Sequence, residues 1–335
     1  MMKRRMNWLV LIGMIMLVMT QSATAGNKGQ AESLTRLTVA ELRSDLWLPA
    51  YLAQTLGFYK EEGLNVMFVT TKDGPVAFQG MHAGNADLTM LSTEPVLRAQ
   101  AMGLKSTIIM SFLTNKPYMF VGAPSITNVQ QLKGKTVFAG APGSAPHSFV
   151  LSILAKVGMK DTDVRWAQME YGASLAALEN GHIDASVTKS TKKREFAAIG
   201  GNILVDVSDP AKHQEIYGTA RYESTVVTGT KKFVSENPET IQKFANAVVR
   251  AMLWINQNSN ETIAEKALPM FQAGNVNAYT VGYLRPSLSI DGIITPEGHK
   301  TIVSFCKKEG IIDRDIPYDE INDMTFVKKA YEQFK

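Results

Sequence analysis

Residues 129–148, VQQLKGKTVFAGAPGSAPHS, combine an approach loop, a strand and the start of a helix. Residues 136–139 form a short apolar run with the β-branched and aromatic content of a strand. A loop of glycine and proline, residues 140–143, ends that run, and Ser144 stands at the N-cap position before residues that are apolar at helical spacing. The stretch therefore predicts the strand–loop–helix unit from which α/β folds are built.

The loop of this unit is a candidate ligand site. The first turn of a helix carries unpaired backbone N–H groups and the positive end of the helix dipole, which suits a polar or anionic ligand group. Gly143, Ser144 and His147 are therefore candidate ligand contacts. The alternative interpretation is purely structural, because many α/β proteins use glycine and serine in such turns without binding anything.

The first 25 residues have the pattern of an export signal. Basic residues at 3–5 precede an apolar stretch at 8–19, and Ala23-Thr24-Ala25 matches a cleavage site. The apolar stretch is shorter than the roughly 20 residues that span a bilayer. We expect a signal peptide over residues 1–25, cleavage near Ala25 and a soluble periplasmic protein; an uncleaved anchor is the alternative.

The charge and cysteine content exclude other classes. The chain of 335 residues has a formal net charge of +4, and removing the three basic residues of the predicted signal leaves +1. So small an excess gives no basic surface for a nucleic acid, and we expect no nucleic acid partner. Cys306 is the only cysteine, so no internal disulfide can form and stability has to come from burial of a core.

Three segments carry a resemblance to a known family of proteins. They are residues 57–66, GFYKEEGLNV; residues 126–137, ITNVQQLKGKTV; and residues 174–185, SLAALENGHIDA. In order and spacing they resemble the solute-binding proteins of ABC importers, in the branch that handles nitrate, sulfonates, taurine and pyrimidine precursors of thiamine. The resemblance extends over about residues 37–253.

A short unit, G-x-x-D followed by an apolar residue, occurs twice. It is GNADL at residues 84–88 and GHIDA at residues 181–185, each time after a predicted short helix and before an apolar strand. The repetition predicts two similar α/β lobes. Together with the resemblance it implies the two-lobed periplasmic-binding-protein fold (type II), with a ligand cleft between the lobes.

One of the two expected lobes is formed by two separate segments of the chain, and the other by a single segment. The first is discontinuous, residues 36–120 plus 222–335, and the second, residues 121–221, is inserted into it. Strands near residues 112–121 and 218–228 would cross between the lobes and act as a hinge.

Candidate ligand contacts lie in loops at the carboxyl ends of the predicted strands, where open α/β sheets bind ligands. Trp47 and Tyr171 are suited to stacking on a flat ligand, although Trp47 also fits an apolar core. Asp45 and Glu94 are suited to accepting hydrogen bonds from an amino group or a ring N–H, and Lys189 to pairing with an anion; the alternative is that these are helix caps or solvated loop residues. The predicted contacts are Ser44, Asp45, Trp47, Asp73, Ser92, Thr93, Glu94, Gly143, Ser144, His147, Tyr171, Thr188 and Lys189.

The sequence offers little for catalysis. The histidines, at positions 82, 147, 182, 213 and 299, lack the spacing of metal ligands, and the sequence contains no C-x-x-C or G-x-S-x-G motif. We expect no enzyme activity, no metal and no cofactor.

The resemblance implies a periplasmic substrate-binding protein that delivers a small organic solute to an ABC permease in the inner membrane. The solute is expected to be a sulfonate-like anion or a pyrimidine-type heterocycle, and the protein is expected to be a monomer. One alternative is a periplasmic ligand-sensing domain that feeds a membrane receptor. The other is an enzyme like the thiamine-pyrimidine synthase, but that synthase is cytosolic and has a cysteine-rich motif, which this sequence lacks.

Overall fold

The structure is a computed structural model that describes residues 33–219, 221–271 and 276–335. The predicted signal peptide, residues 1–25, lies outside these residues. Across the described ranges, no helix has both the length and the apolar character that a membrane crossing requires.

The elements are numbered in chain order. The strands are β1 (Thr35–Glu41), β2 (Leu64–Thr70), β3 (Leu88–Ser92), β4 (Ser106–Leu113), β5 (Tyr118–Gly122), β6 (Thr136–Phe138), β7 (Arg165–Ala167), β8 (Ala185–Lys189), β9 (Asn202–Asp206) and β10 (Thr225–Thr230). The helices are α1 (Leu48–Thr55), α2 (Phe58–Glu61), α3 (Gly74–His82), α4 (Thr93–Ala101), α5 (Ala145–Lys156), α6 (Ser174–Glu179), α7 (Lys193–Ala198), α8 (Pro210–Tyr217), α9 (Lys231–Glu236), α10 (Pro238–Gln257), α11 (Asn260–Ala267), α12 (Ala278–Leu284), α13 (Pro296–Lys308), α14 (Tyr318–Ile321) and α15 (Thr325–Phe334).

The strands form two five-stranded sheets with the same arrangement. The first has the order β2-β1-β3-β10-β4 and the second the order β7-β6-β8-β5-β9. In the first sheet β1 is parallel to β2 and β3, and β10 is antiparallel to β3 and β4. In the second sheet β6 is parallel to β7 and β8, and β5 is antiparallel to β8 and β9. The mixed α/β architecture predicted from the sequence is therefore confirmed.

The repeated G-x-x-D unit makes the same hydrogen bonds in both sheets. Asp87 accepts a hydrogen bond from the backbone N–H of Thr38 in β1 at 2.7 Å, and Asp184 accepts one from that of Thr136 in β6 at 2.8 Å. The backbone N–H of each aspartate donates in return to the carbonyl oxygen of the same threonine. The glycine that opens each unit has a positive φ, 81° and 70°, and so allows the chain to leave the preceding helix. Each unit fixes a helix end to a strand of its sheet, β1 in the first sheet and β6 in the second.

The division into lobes stays a prediction. The assignment of each strand to one of the two sheets indicates where the boundary between the lobes would lie. β5 begins at Tyr118 and belongs to the second sheet, so the predicted boundary between residues 120 and 121 falls inside a strand. The chain passes from the first sheet to the second at residues 114–117, and it returns between β9 and β10.

A buried polar cluster lies where the chain passes between the sheets. Lys116 and Glu94 form an ion pair, and neither side chain is exposed. The Tyr222 hydroxyl donates to Glu94 Oε1 at 2.8 Å, and its ring centroid lies 4.8 Å from Lys116 Nζ. The backbone N–H of Lys116 donates to His213 Nε2 at 3.3 Å, and His213 Nδ1 lies 2.5 Å from the carbonyl oxygen of Thr219. We call Glu94, Lys116, His213 and Tyr222 the crossing cluster.

Candidate ligand-binding cleft

A cleft of about 850 Å³ opens at the carboxyl ends of strands from both sheets. From the first sheet, its lining includes residues 42–47 after β1, Thr70 at the end of β2, and the end of β3. From the second sheet it includes the end of β8, the first turn of α5, and residues 171–172. Residues 269–271, from the chain after α11, complete the lining. This is the position at which ligands bind in open α/β sheets.

Most of the predicted ligand contacts line this cleft. They are Ser44, Asp45, Trp47, Ser92, Ser144, Tyr171, Thr188 and Lys189. Trp47 also has the core role that the sequence left open, because only 3% of it is exposed and its indole N–H donates to the carbonyl oxygen of Leu42. The position of these residues is consistent with ligand contact, which itself stays a prediction.

Two predicted contacts point into the core instead. Glu94 belongs to the crossing cluster, where its carboxylate is fully buried against Lys116. The hydroxyl of its neighbour Thr93 donates to the carbonyl oxygen of Glu223 at 2.6 Å, and the side chain is buried. Both residues follow Ser92 at the start of α4, and only Ser92 among the three lines the cleft.

Three other predicted contacts lie beside the cleft without lining it. Asp73 is the N-cap of α3, and its carboxylate accepts the backbone N–H of Val76 at 2.9 Å. The His147 ring packs against Trp166 at 4.8 Å, and burial lowers the pKa of this histidine. Gly143 contributes its backbone conformation, with φ at 81°. The start of α5 reaches the cleft through Ser144, Ala145 and Pro146. The Ser144 hydroxyl oxygen also accepts the backbone N–H of His147 at 3.4 Å.

Gly143 is expected to tolerate no side chain without loss of stability. Alanine at this left-handed backbone position costs roughly 1–2 kcal/mol, and its Cβ would lie 2.1 Å from Nη1 of Arg98, which has to move. Gly143→Ala should therefore lower the free energy of unfolding by about 1–2 kcal/mol in urea denaturation. Gly172→Ala is the matched control, because Gly172 has no positive φ and open space at Cβ. Equal stability of the two variants would contradict this account.

An ion pair joins the two sides of the cleft. Asp45, which follows β1, is almost fully buried and pairs with Lys189 Nζ at the end of β8. Asp45 Oδ2 also accepts the hydroxyl of Thr191 at 2.9 Å, and Lys189 Nζ donates to Ser44 Oγ at 3.3 Å. Burial alone raises the pKa of Asp45, but the Lys189 ammonium and the hydroxyl donors outweigh it, so the net shift is downward. Asp45 is thus held ionised between the two sheets.

Asp45→Asn is expected to lower the free energy of unfolding at pH 7 by about 2 kcal/mol, because it removes the counter-ion of a partly buried ammonium. A carboxylate with a lowered pKa stabilises the folded state above its unfolded pKa and loses that effect as the pH falls through its folded pKa. The difference between wild type and variant in urea denaturation should therefore shrink in acid. Glu215→Gln, which breaks an exposed pair with Lys212, is the control and should cost less than about 1 kcal/mol. A cost for Asp45→Asn no larger than this control would contradict the prediction.

Arg43 lines the cleft and was missed by the sequence analysis. Its Nη1 donates to the carbonyl oxygen of Met270 at 2.6 Å, and its Nη2 donates to the hydroxyl of Thr70 at 3.4 Å. Its Nε lies 3.5 Å from Oε1 of Glu41, whose side chain is fully buried. The available signal was Glu41 itself, an acidic residue at the end of an otherwise apolar strand.

Aromatic rings contribute to both sides of the lining. Tyr171 lies edge-on against Phe138 at 5.3 Å between ring centroids, and burial raises its pKa to about 12. Tyr118 of β5 and Phe271 also line the cleft, and neither was predicted. The cleft thus offers flat apolar surfaces beside its charged groups.

The described residues contain no group of three histidine, cysteine, aspartate or glutamate side chains placed to hold a metal ion. Cys306 is buried, and burial raises the pKa of its thiol well above the usual value.

Comparisons with known proteins agree with this architecture. Residues 47–262 match the family model described as NMT1/THI5 like. A Bacillus subtilis (strain 168) protein, provisionally described as aliphatic sulfonates-binding, is 25% identical over 336 residues, covering 96% of this chain and 97% of its own. The 4-amino-5-hydroxymethyl-2-methylpyrimidine phosphate synthase THI13 of Saccharomyces cerevisiae is 25% identical over 218 residues, covering 61% of this chain and 62% of its own.

Solved structures are similar over most of the chain. A Bordetella bronchiseptica RB50 protein superposes with a TM-score of 0.80 and 26% identity, covering 90% of this chain and 98% of its own. A Candida albicans protein described as having the generic periplasmic binding protein fold superposes with a TM-score of 0.66 and 15% identity, covering 89% of this chain and 95% of its own. A Methylobacillus flagellatus KT protein is provisionally described as the periplasmic sulfonate-binding protein of an ABC transporter. It superposes with a TM-score of 0.62 and 16% identity, covering 90% of this chain and 95% of its own. The predicted periplasmic-binding-protein fold is confirmed.

Proposed function

This chain belongs to the NMT1/THI5-like family, and on that premise we propose that it is the substrate-binding protein of an ABC importer. The observation that carries the proposal is the cleft of about 850 Å³, lined from both sheets and bridged by Asp45 and Lys189. A cavity of this size, largely apolar with a few placed polar groups, suits a small organic solute. The sulfonate-binding description of the Bacillus relative, which aligns over 97% of its length, supports an organic anion as the solute.

Capture would work by movement of one sheet, with its helices, relative to the other. Among the described strands, the chain passes between the sheets at residues 114–117 and between β9 and β10, and these are the natural places for a hinge. A solute that touches residues of both sheets favours the closed arrangement, and that arrangement is what a permease recognises. The lobe division, residues 36–120 plus 222–335 and residues 121–221, belongs to this proposal.

The same proposal includes the cellular setting. We place the protein in the periplasm as a monomer, exported by a signal peptide over residues 1–25 with cleavage near Ala25, and serving an ABC permease of the inner membrane. The periplasmic description of the Methylobacillus protein supports this location. A periplasmic sensor domain is the alternative, and a receptor kinase gene beside this one, in place of permease and ATPase genes, would favour it.

A binding role is proposed over a synthase role. The yeast synthase aligns over only 62% of its length, whereas the Bacillus binding protein aligns over 97%. The chain also has a single cysteine, and that residue is buried. Conversion of a bound compound by the purified protein would support the enzyme instead.

A thermal-shift screen over sulfonates, carboxylates, nitrate and aminopyrimidines tests the binding role. A solute present at 100 times its dissociation constant adds about 2.7 kcal/mol to the stability of the folded state. We expect at least one of these classes to raise the melting temperature of wild type and of Thr162→Trp, whose site is exposed and outside the cleft. Thr188→Trp, which fills part of the cleft, should abolish the shift. A screen without any shift, or a shift that survives Thr188→Trp, would refute the proposed function.

A further inference from the structure

We propose that the cleft takes an aromatic organic anion and that Arg43 binds the carboxylate or sulfonate group of this ligand. The inference rests on the proposed function and narrows it to one class of solute and one anchoring residue. Its evidence is the charge of the lining, the hydrogen bonding of Arg43, and the size and rings of the cavity.

The charge of the lining favours an anion. The charged side chains that line the cleft are Arg43, Lys189, Lys192 and Asp45. Lys189 is already paired with Asp45. Lys192 is paired with Glu195 at 3.0 Å, and both of those side chains are partly exposed to solvent, which weakens their electrostatic effect. Counted over the lining side chains alone, the cleft has three positive groups and one negative group. Arg43 is paired with Glu41, which is fully buried and lies outside the lining, so a ligand in the cleft meets the guanidinium and not its counter-ion.

The hydrogen bonds of Arg43 leave donors for a ligand. A guanidinium group has five N–H donors, two on each Nη and one on Nε. Here one Nη1 N–H donates to the carbonyl oxygen of Met270 and one Nη2 N–H to the hydroxyl of Thr70. One N–H on each Nη is left, and 44% of the side chain is exposed. Two such donors on one guanidinium match the two oxygens of a carboxylate or sulfonate.

The support beneath Arg43 is a buried carboxylate held by hydrogen bonds. Glu41 is fully buried, and its carboxylate accepts the Tyr51 hydroxyl at 2.8 Å and the Thr70 hydroxyl at 2.9 Å. The Arg43 guanidinium carbon also lies 5.7 Å from the centroid of the Tyr51 ring. Because Glu41 is fixed, the guanidinium is held in place before any ligand arrives, and little side-chain entropy is lost on binding.

The size and the rings of the cleft favour an aromatic body. A water molecule takes up about 30 Å³ in the liquid, so a nitrate ion or a two-carbon sulfonate would leave most of a cavity of about 850 Å³ filled with water. Tyr171 and Phe271, whose rings are partly exposed, line the cavity together with the almost fully buried Trp47 and Tyr118. Pairs of aromatic rings gain stabilisation beyond that of the apolar area they bury. One or two fused rings with a single oxyanion would use both the rings and Arg43.

Matched ligands test the chemical class. We would compare naphthalene-2-sulfonate, its neutral analogue 2-naphthamide, taurine and nitrate by calorimetric titration at constant ionic strength. The expected result is one site for naphthalene-2-sulfonate, with a dissociation constant at least about tenfold lower than that of any other compound. Tighter binding of taurine, nitrate or the neutral amide would overturn the inference.

Variants of two arginines, each paired with a buried glutamate, test whether Arg43 anchors the ligand. Arg221 is the matched control for Arg43: its Nε lies 2.7 Å from Oε1 of the fully buried Glu223, 46% of its side chain is exposed, and it does not line the cleft. Arg43→Gln should weaken naphthalene-2-sulfonate at least about tenfold and leave 2-naphthamide unchanged, whereas Arg221→Gln should change neither. Arg43→Lys keeps the charge without the fork of donors and should bind the sulfonate with intermediate affinity, which gives a second test should Arg43→Gln fold poorly.

The outcomes separate this inference from the proposed function. Unchanged sulfonate affinity in Arg43→Gln, or an equal loss in Arg221→Gln, would overturn the role of Arg43. Binding of an aliphatic or neutral solute in preference to the aromatic anion would overturn the inference and leave the proposed function standing. Absence of binding by every compound, in these titrations and in the thermal-shift screen, would refute both.

Discussion

Lys116→Met is expected to lower the free energy of unfolding by about 3–5 kcal/mol. Lys116 and Glu94 form an ion pair in which neither side chain is exposed. Removal of the ammonium would leave a buried carboxylate whose Oε1 receives only the Tyr222 hydroxyl; within the described residues, its Oε2 has no hydrogen-bond partner. A buried charge without a counter-ion is among the most destabilising changes known in proteins.

Urea denaturation of three variants would check this expectation. Adding Glu94→Gln to Lys116→Met removes the stranded charge and should restore a large part of the lost stability, since replacing both partners costs less than replacing one. Lys212→Met breaks an exposed pair with Glu215 and should cost less than about 1 kcal/mol. A Lys116→Met variant as stable as Lys212→Met would show that the buried Glu94 carboxylate tolerates the loss of its counter-ion, contrary to this expectation.

Acidification from pH 7 to pH 4.5 is expected to cost the wild type about 2 kcal/mol of stability through His213. Burial lowers the pKa of His213 to about 4; the Thr219 carbonyl acts in the opposite direction, and the charge of Lys116 lowers the pKa further. The unfolded chain takes up its proton near pH 6.5, while the folded chain resists protonation until about pH 4. The stabilising effect of the neutral ring is therefore complete above about pH 6.5 and is lost as the pH falls towards 4.

His213→Gln isolates this effect from the other titrating groups. The variant should be less stable than wild type at pH 7, because the ring contacts are lost, but it should lose less stability between pH 7 and pH 4.5. The comparison is needed because burial also lowers the pKa of His82, His147 and His299. Equal losses in wild type and His213→Gln, measured in urea at the two pH values, would contradict the prediction.

Local patterns predicted the framework because local chemistry produces it. Residues 136–138 of the apolar run at 136–139 form β6, and Ser144 is the N-cap of α5 as expected. The repeated G-x-x-D units predicted two matching lobes. In each unit a glycine with positive φ ends a helix, and an aspartate carboxylate accepts a backbone N–H of one strand. Because the unit is only a few consecutive residues long, it can be recognised in the sequence.

The cleft depended on contacts between distant residues, which no short pattern encodes. Glu94 looked like a ligand acceptor because it follows a strand, but its partner Lys116 lies in another part of the chain and takes it into the core. The sequence pattern did not single out Arg43, because its support comes from Thr70 and from Met270 far along the chain. His147 was placed correctly on α5, but its ring faces Trp166.

The order of strands in the first sheet has a consequence for synthesis. β10 lies between β3 and β4, whereas the second sheet is built entirely from the uninterrupted segment β5–β9. A chain that emerges N-terminus first, from the ribosome or from an export channel, can therefore complete its second sheet while β3 and β4 still have free edges. Free strand edges invite pairing with other chains, so the newly made protein is most prone to aggregation before residues 225–230 have been added.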